Sequence, residues 1–231
     1  MKGRKFLIWL VFGAVCTVLS AETSLWKVSR GSNSFFLGGT IHVLAESDYP
    51  LPEEYENAFR EADILILETD LAGLEGPEAQ GALLEALTYP EGEGLQQHLG
   101  KKTAGMLRDY LGEYGLPLEA LDRYKPGLVS SMITMLELQK LGITGQGVDA
   151  YFSTRAAETG KPSGFLETVE QQLTFLGKMG EGSEDALIAS SLSDVETLET
   201  EFAGILQAWR QGDTEALHPD SERDKIVIDP A

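Results

Sequence analysis

The feature that most constrains this chain is a short apolar run, residues 35–37, that ends in two glycines just before a histidine. Such runs are typical of β-strands, and Gly38 and Gly39 let the backbone leave a strand sharply and approach another group closely, because glycine has no Cβ. The spacing predicts that His42 lies at the carboxyl end of that strand, where open α/β sheets bind ligands. Imidazole is the commonest metal ligand and titrates near neutral pH, so His42 is the first candidate functional residue.

Two later apolar runs end in carboxylates in the same way. Residues 64–67, four aliphatics, lead into Glu68, and residues 164–166 lead into Glu167. Asp70 would share a face with Glu68 if the strand continued, because side chains two apart point to the same side of a strand. Together with His42, these acids predict one polar rim over one sheet. Each acid taken singly is also compatible with a strand end that simply meets water.

The remaining pattern favours an α/β (α+β) domain with a small mixed sheet and flanking helices. Residues 26–29 and 34–37 alternate around a Gly/Ser/Asn turn, which predicts a β-hairpin. Residues 53–62 form an amphipathic helix before the strand at 64–67, which predicts a βαβ unit. From residue 72 to residue 145 only helical pieces are found, separated by Gly and Pro, which predicts a mostly helical insertion.

The amino terminus has the pattern of an export signal. Lys2, Arg4 and Lys5 precede an apolar run at residues 6–19 that is shorter than the ~20 residues needed to span a bilayer. We therefore expect residues 1–20 to be a signal peptide and the protein to be periplasmic or extracellular. Two other interpretations stay open, a lipoprotein modified at Cys16 and an anchor retained through residues 6–19. In either case, contact with the membrane is expected only through this segment.

Composition excludes several classes of function. Cys16 is the only cysteine, so the chain after Ser20 can have neither a disulfide scaffold nor a catalytic thiolate. The formal net charge of −19 repels nucleic acid and anionic lipid and favours cations. The sequence contains no H-E-x-x-H, G-x-S-x-G or P-loop motif, which removes the usual zinc protease, α/β-hydrolase and nucleotide-binding interpretations.

Four blocks, taken in order, resemble the TraB/GumN family, which includes TraB, PrgY and Tiki-like proteins. The blocks are Gly39-Thr40-Ile41-His42, Leu67-Glu68-Thr69-Asp70, Gly147-Val148-Asp149, and Leu166-Glu167-Thr168 followed by Gln171 or Gln172. They extend the resemblance over residues 25–217. The G-x-x-H tetrapeptide alone is a weak signal, whereas four blocks in the family's order are fairly specific.

The resemblance implies a metal-dependent hydrolase, since the Tiki branch is described as a metalloprotease. It makes His42 and Glu68 the pair at a divalent ion (Mn, Co or Zn), with Glu167 as a further catalytic residue. Such an ion would lower the pKa of a bound water, or a glutamate would act as general base. The residues expected to support the site are Gly38, Gly39, Thr40, Asp70 and Asp149. Asp149 is equally explained as an acid at a helix start.

The family pattern has a second G-x-x-H near its carboxyl end, and this sequence has none. We therefore expect residues 21–231 to form a single domain of this type that is incomplete at its carboxyl end. The predicted function is an exported hydrolase acting on a peptide or an envelope-derived substrate. The alternatives are a non-catalytic exported protein that binds a peptide signal or an envelope polysaccharide component, and a decayed fragment without function. The oligomeric state does not follow from the sequence.

Overall fold

A computed structural model describes residues 23–70, 72–73 and 76–217 of this chain. Within these residues, six strands and eight α-helices form a mixed α/β fold, as the sequence predicted. The strands are β1 Leu25–Arg30, β2 Asn33–Gly38, β3 Val43–Leu44, β4 Leu65–Leu67, β5 Gly145–Gln146 and β6 Ser163–Phe165. The helices are α1 Glu53–Glu61, α2 Pro77–Leu87, α3 Lys101–Glu113, α4 Pro126–Lys140, α5 Val148–Thr159, α6 Val169–Lys178, α7 Glu184–Asp194 and α8 Leu198–Gln211.

The proposed signal peptide with Cys16 and the tail after Leu217 lie outside the described residues. The predictions made for residues 1–20 and for the carboxyl end are therefore not addressed by the structure. In the part of the chain that is described, no helix combines the length and the apolar character that crossing a bilayer requires.

The predicted hairpin is confirmed. β1 and β2 pair antiparallel in a register that joins Arg30 to Asn33 through a two-residue turn, Gly31-Ser32. Gly31 has a φ of +63°, a conformation that glycine adopts without steric cost, at the first central position of the turn. Turn chemistry and alternation are both local, which is why the sequence predicted this element well.

The strands form three separate two-stranded ladders, where the sequence predicted one small mixed sheet. β3 pairs antiparallel with β5, and β4 pairs parallel with β6. The predicted βαβ pairing of the strand before His42 with β4 is therefore wrong. The backbone offers a reason: the N–H and C=O of Gly39 are already hydrogen-bonded to Ser24, Tyr55 and Trp209, so the segment leading to His42 cannot extend a ladder toward β4.

One hydrophobic core lies under the segment that carries His42. Helix α1 contributes the buried side chains of Tyr55, Ala58 and Phe59 on one stripe, as its spacing predicted. Three glutamates in its first turn stabilise the helix through its dipole. The Tyr55 ring packs against Trp209 of α8 with 5.3 Å between the ring centroids. The buried members of this core are Ile41, Leu44, Leu51, Tyr55, Phe59, Val148, Phe152, Ala156 and Trp209. Ile41, the residue before His42, is itself a member of this core, so the backbone that carries the histidine is held by the packing.

A second core is entirely helical. It is built mainly from α3 and α4, with the side chain of Ile188 from α7 fully buried against them. Its buried members are Leu95, Leu107, Leu111, Leu118, Leu121, Val129, Ile133 and Ile188. Helices α2 and α4 also contact α6, so the helices between β4 and β5 pack against helices that come later in the chain. The division of the chain into a domain and an insertion stays a prediction.

Candidate active site

The link between β2 and β3 carries His42. β2 ends at Gly38, so His42 does not terminate the strand as predicted but follows an irregular segment of three residues. A Cβ on Gly38 would lie 3.0 Å from Cε1 of Tyr55, and one on Gly39 would lie 3.3 Å from Cβ of Ser24. The two glycines are needed because this backbone runs against its neighbours, which is the close approach that the sequence indicated.

The Gly39 carbonyl is held by two aromatic side chains from distant helices. Tyr55 donates its hydroxyl at 2.7 Å and Trp209 donates its indole N–H at 2.8 Å. The Tyr55 hydroxyl also lies 2.6 Å from the Ser24 carbonyl, and burial raises the pKa of this phenol well above its ordinary value. The phenol therefore stays protonated and keeps donating.

Removing this hydroxyl is expected to loosen the segment before His42. We expect Tyr55→Phe to lower the free energy of unfolding by ~1–3 kcal/mol, because buried carbonyl groups would lose a donor. Chemical denaturation measures the loss. Tyr49→Phe is the matched control, since the Tyr49 hydroxyl bonds the Gln146 carbonyl at an exposed position. Equal losses in the two variants would contradict a special role for Tyr55.

The first residues of helix α5 lie against the backbone of the His42 segment and hold it from another side. Val148 donates its N–H to the Ile41 carbonyl at 2.9 Å, and a Cβ on Gly147 would overlap the carbonyl groups of Ile41 and His42. Gly147 belonged to a block that the sequence singled out, but its steric role becomes visible only in the structure. Its absent side chain lets helix α5 begin directly beside the histidine.

This arrangement brings His42 and Asp149 together. The Nδ1 atom of His42 lies 2.9 Å from Oδ2 of Asp149, in the first turn of α5. The Asp149 side chain is only 16 % exposed, whereas that of His42 is 66 % exposed. The carboxylate is thus an anchored partner, and the far edge of the imidazole faces solvent. With Nδ1 donating to Asp149, Nε2 carries the free lone pair.

The pKa of His42 is raised and that of Asp149 is lowered, and both shifts favour an ion pair between them. The hydrogen bond to Asp149 raises the pKa of His42 above its ordinary value of 6.5, burial partly opposes this, and the charges of Asp149 and Glu68 raise it further. Burial of Asp149 opposes ionisation, but the hydrogen bond and charge of His42 and the Ala150 N–H outweigh it, so the pKa of Asp149 is lowered. His42 is therefore a more basic group than a free imidazole.

The two predicted glutamates meet at the ends of β4 and β6. The ladder continues past both strands: Leu166 donates its N–H to the Leu67 carbonyl at 3.0 Å, and Glu167 donates to the Glu68 carbonyl at 2.8 Å. Glu68 is exposed and close enough for its charge to raise the pKa of His42. The Glu167 carboxylate accepts a hydrogen bond from Gln172 in the first turn of α6. Of the two glutamates, Glu68 is the one whose charge contributes to the raised pKa of His42.

Of the other predicted supporting residues, Asp70 has a structural explanation. Its Oδ1 accepts the Gly73 N–H at 3.0 Å, which closes a turn after β4. Since β4 ends at Leu67, Asp70 does not extend the strand face that carries Glu68. Thr40 is exposed in the link before His42.

The donor atoms at this site match a divalent cation in kind but not in number. His42 Nε2 and the Glu68 carboxylate are suitable ligands, and a catalytic metal usually has three from the protein. Across residues 23–70, 72–73 and 76–217, no three His, Cys, Asp or Glu side chains are placed to hold a metal ion together. The residues described do not make a metal centre by themselves.

A family model described as the TraB/PrgY/gumN family matches residues 24–230. The chain belongs to this family. It is similar to the uncharacterized protein YbaP of Escherichia coli K12, with 25 % identity over 147 residues, 63 % of this chain and 53 % of YbaP. It is also similar to the metalloprotease TIKI1 of Xenopus tropicalis, with 29 % identity over 176 residues, 64 % of this chain and 33 % of TIKI1. No solved structure matches the chain significantly.

The chain thus spans about half the length of YbaP and a third of TIKI1. Family membership agrees with the resemblance seen in the four sequence blocks, all of which lie inside the matched range. Three of these blocks supply His42, Glu68 and Asp149; the structure pairs His42 with Asp149, and the charge of Glu68 contributes to the raised pKa of His42. Sequence reasoning missed the roles of Tyr55, Trp209 and Gly147 at the histidine segment, because these roles depend on contacts between distant parts of the chain.

Proposed function

We propose that this protein is a hydrolase of the TraB/PrgY/gumN family that acts on a peptide or a related acyl bond. The observation that carries the proposal is the hydrogen bond between His42 Nδ1 and the largely buried Asp149 carboxylate, which leaves Nε2 free at the surface. The name of one relative, a metalloprotease, supports the same class of reaction. The substrate class and export are also parts of the proposal.

The geometry supports a general acid–base role for His42. Nε2 would accept a proton from a water as that water attacks the substrate carbonyl, and Asp149 and Glu68 would stabilise the positive charge that develops on the ring. The same Nε2 proton would then pass to the leaving group. Asp149 acts as a positioning residue, because it fixes the ring orientation and the tautomer.

The Asp149→Asn variant tests this mechanism through its pH dependence. Asp149 raises the pKa of His42, and the neutral ring is the active base, so the rate should rise with pH through a midpoint above 6.5. In the variant, the pKa of His42 falls, so the acidic limb of the pH–rate profile should move to lower pH. The maximal rate should fall roughly tenfold or more, because the ring loses its orientation.

The second histidine provides the control for this profile. His98 Nε2 lies 2.9 Å from Oε1 of Glu93, so Glu93→Gln removes a carboxylate from a histidine outside the site. We expect this variant to keep the profile of the unsubstituted protein. A profile that is unchanged in Asp149→Asn, or shifted equally in both variants, would exclude the proposed role of the His42–Asp149 pair.

Metal dependence is tested directly. Hydrolysis of a peptide library is measured after dialysis against EDTA and after addition of Mn²⁺, Co²⁺ or Zn²⁺. The imidazole mechanism predicts a rate that chelation leaves unchanged. Loss of activity with recovery on one of these ions would instead establish the metal dependence that the sequence resemblance implies, and would require ligands beyond those found in the described residues.

We also propose export, with residues 1–20 as the signal peptide. The basic start and the apolar run at residues 6–19 support this. Expression of the full chain in a bacterium, followed by fractionation and amino-terminal sequencing, should yield a periplasmic protein that begins at Ala21. A protein that keeps Met1 and stays in the cytoplasm would refute export.

A further inference from the structure

The parallel ladder of β4 and β6 presents an apolar face to solvent. Ile64 and Ile66 are each 49 % exposed, and Leu166, which follows β6, is 75 % exposed. Ile66 pairs with Gly164, and a Cβ on Gly164 would lie 2.8 Å from Cδ1 of Ile66 and 3.9 Å from Cδ1 of Ile64. Both isoleucine side chains therefore lie on the face of Gly164, and alternation places Leu166 there as well.

Such exposure is unusual for a parallel ladder. Parallel sheets are normally covered on both faces, and their apolar side chains are buried. The opposite face is packed along β4, where Leu67 is buried and Leu65 packs against the first core, whereas Phe165 of β6 is partly exposed there. Among the described strands, β4 pairs only with β6 and β6 only with β4, so each has an edge without a strand partner. An apolar face beside an open edge is the usual setting for an added strand.

This face leads directly into the candidate active site. Alternation along the chain puts Ile64, Ile66 and Glu68 at successive positions on one side. Leu65 of β4 packs against the core that contains Ile41, the residue before His42. At the end of this ladder the Glu167 backbone is bonded to that of Glu68, and both glutamates are exposed. The face thus runs from two apolar side chains to an acidic end on a ladder that packs against the same core as the histidine segment.

We propose that this face binds the substrate as an extended peptide segment that lies beside β4. Its backbone would occupy the open edge, and its side chains would follow the pattern apolar-x-apolar-x-basic. The two apolar side chains would pack on Ile64 and Ile66, because cross-strand neighbours on one face contact each other, and the Lys or Arg would meet the Glu68 carboxylate. The bond presented to His42 is the one next to the basic residue. This inference rests on the proposed function for the reaction, but binding can be tested without it.

The test measures binding of fluorescein-labelled peptides to the full chain by fluorescence anisotropy. The probe is Val-Thr-Ile-Thr-Lys, compared with versions in which both apolar residues are Ser or in which Lys is Glu. We expect the probe to bind at least about tenfold more tightly than either version. Ile64→Ser and Ile66→Ser should each weaken the probe by a similar factor, because both side chains would contact the peptide. Added salt should weaken the binding of the probe, because it screens the attraction between Lys and Glu68.

The hairpin supplies a matched control, because Phe35 of β2 is 57 % exposed and lies on another ladder. Phe35→Ser should leave binding of the probe unchanged, and thermal melting checks that each variant is folded. Ile64 precedes β4 and its side chain is half exposed, so its replacement should not disturb folding even if that of Ile66 does. The His42→Ala variant should still bind the probe. If the unsubstituted chain binds the probe but hydrolyses no peptide, only the proposed function is refuted.

Several results would overturn the inference. These are absence of binding by every peptide, equal affinity for the three peptides, and equal loss in Phe35→Ser and Ile64→Ser, which would indicate non-specific binding. A dimer of the full chain that Leu166→Ser dissociates would show that a second copy of this chain covers the face instead. Light scattering on both proteins decides that last point.

Discussion

Replacing Gly147 with alanine is expected to destabilise this protein more than any other single methyl addition at the site. The added carbon would overlap the carbonyl groups of Ile41 and His42. These groups cannot move away easily, because the Ile41 carbonyl accepts the first N–H of α5 and the Ile41 side chain is buried. We expect the free energy of unfolding to fall by about 3 kcal/mol or more, since overpacking against backbone forces a shift of whole elements.

The cause is steric and not conformational, which makes the control simple. Gly147 has φ −79° and ψ 176°, values that any residue adopts. Gly105 lies inside α3, and no atom would approach a Cβ added there within 4 Å. Gly105→Ala should therefore stabilise the protein by roughly 0.5–1 kcal/mol, through helix propensity. Urea denaturation of both variants measures the two effects. A Gly147→Ala protein as stable as the unsubstituted one would show that α5 does not abut the histidine segment.

Hydrolysis is expected to fall about 10²–10⁴-fold in the His42→Ala variant, the range typical for loss of a general acid–base group. The ring is 66 % exposed, so its removal should leave little or no cavity and change thermal stability little. The measurement is kcat/KM on the best peptide from the library, with a thermal melt of the same preparation. Loss of activity without loss of folding would assign the chemistry to this side chain.

His98 is again the matched control. It is held by Glu93 and stacks on Tyr89 with 5.0 Å between the ring centroids, so it resembles His42 in having a carboxylate partner. His98→Ala should keep kcat/KM within about twofold, because a surface change away from the reacting atoms alters little. Equal activity in His42→Ala and the unsubstituted chain would remove His42 from the mechanism. Absence of hydrolysis by the unsubstituted chain would favour the non-catalytic binding protein that the sequence left open.

Local patterns predicted the parts of this fold that depend on near neighbours. The hairpin at β1 and β2, the amphipathic helix α1 and the acid in the first turn of α5 all follow from spacings of a few residues. The predicted pairing of the strands in a single sheet was wrong, because strands of two or three residues carry little information about their partners. β4 and β6, for example, pair although about a hundred residues of mostly helical chain separate them, and no local signal specifies that choice.

The sequence by itself determined which side chains could do chemistry and that they lie close to the ends of strands or the start of a helix. His42, Glu68, Glu167 and Asp149 could be named without a structure, because glycines, apolar runs and acids at their ends are local signals. Only the tertiary structure decided which of them meet. The partner of His42 is Asp149, 107 residues away, and Trp209, 170 residues from Gly39, holds the backbone that leads to the histidine. Contacts over such separations depend on how the whole core packs, since side-chain hydrogen bonds form only when buried elements have brought their atoms within about 3 Å.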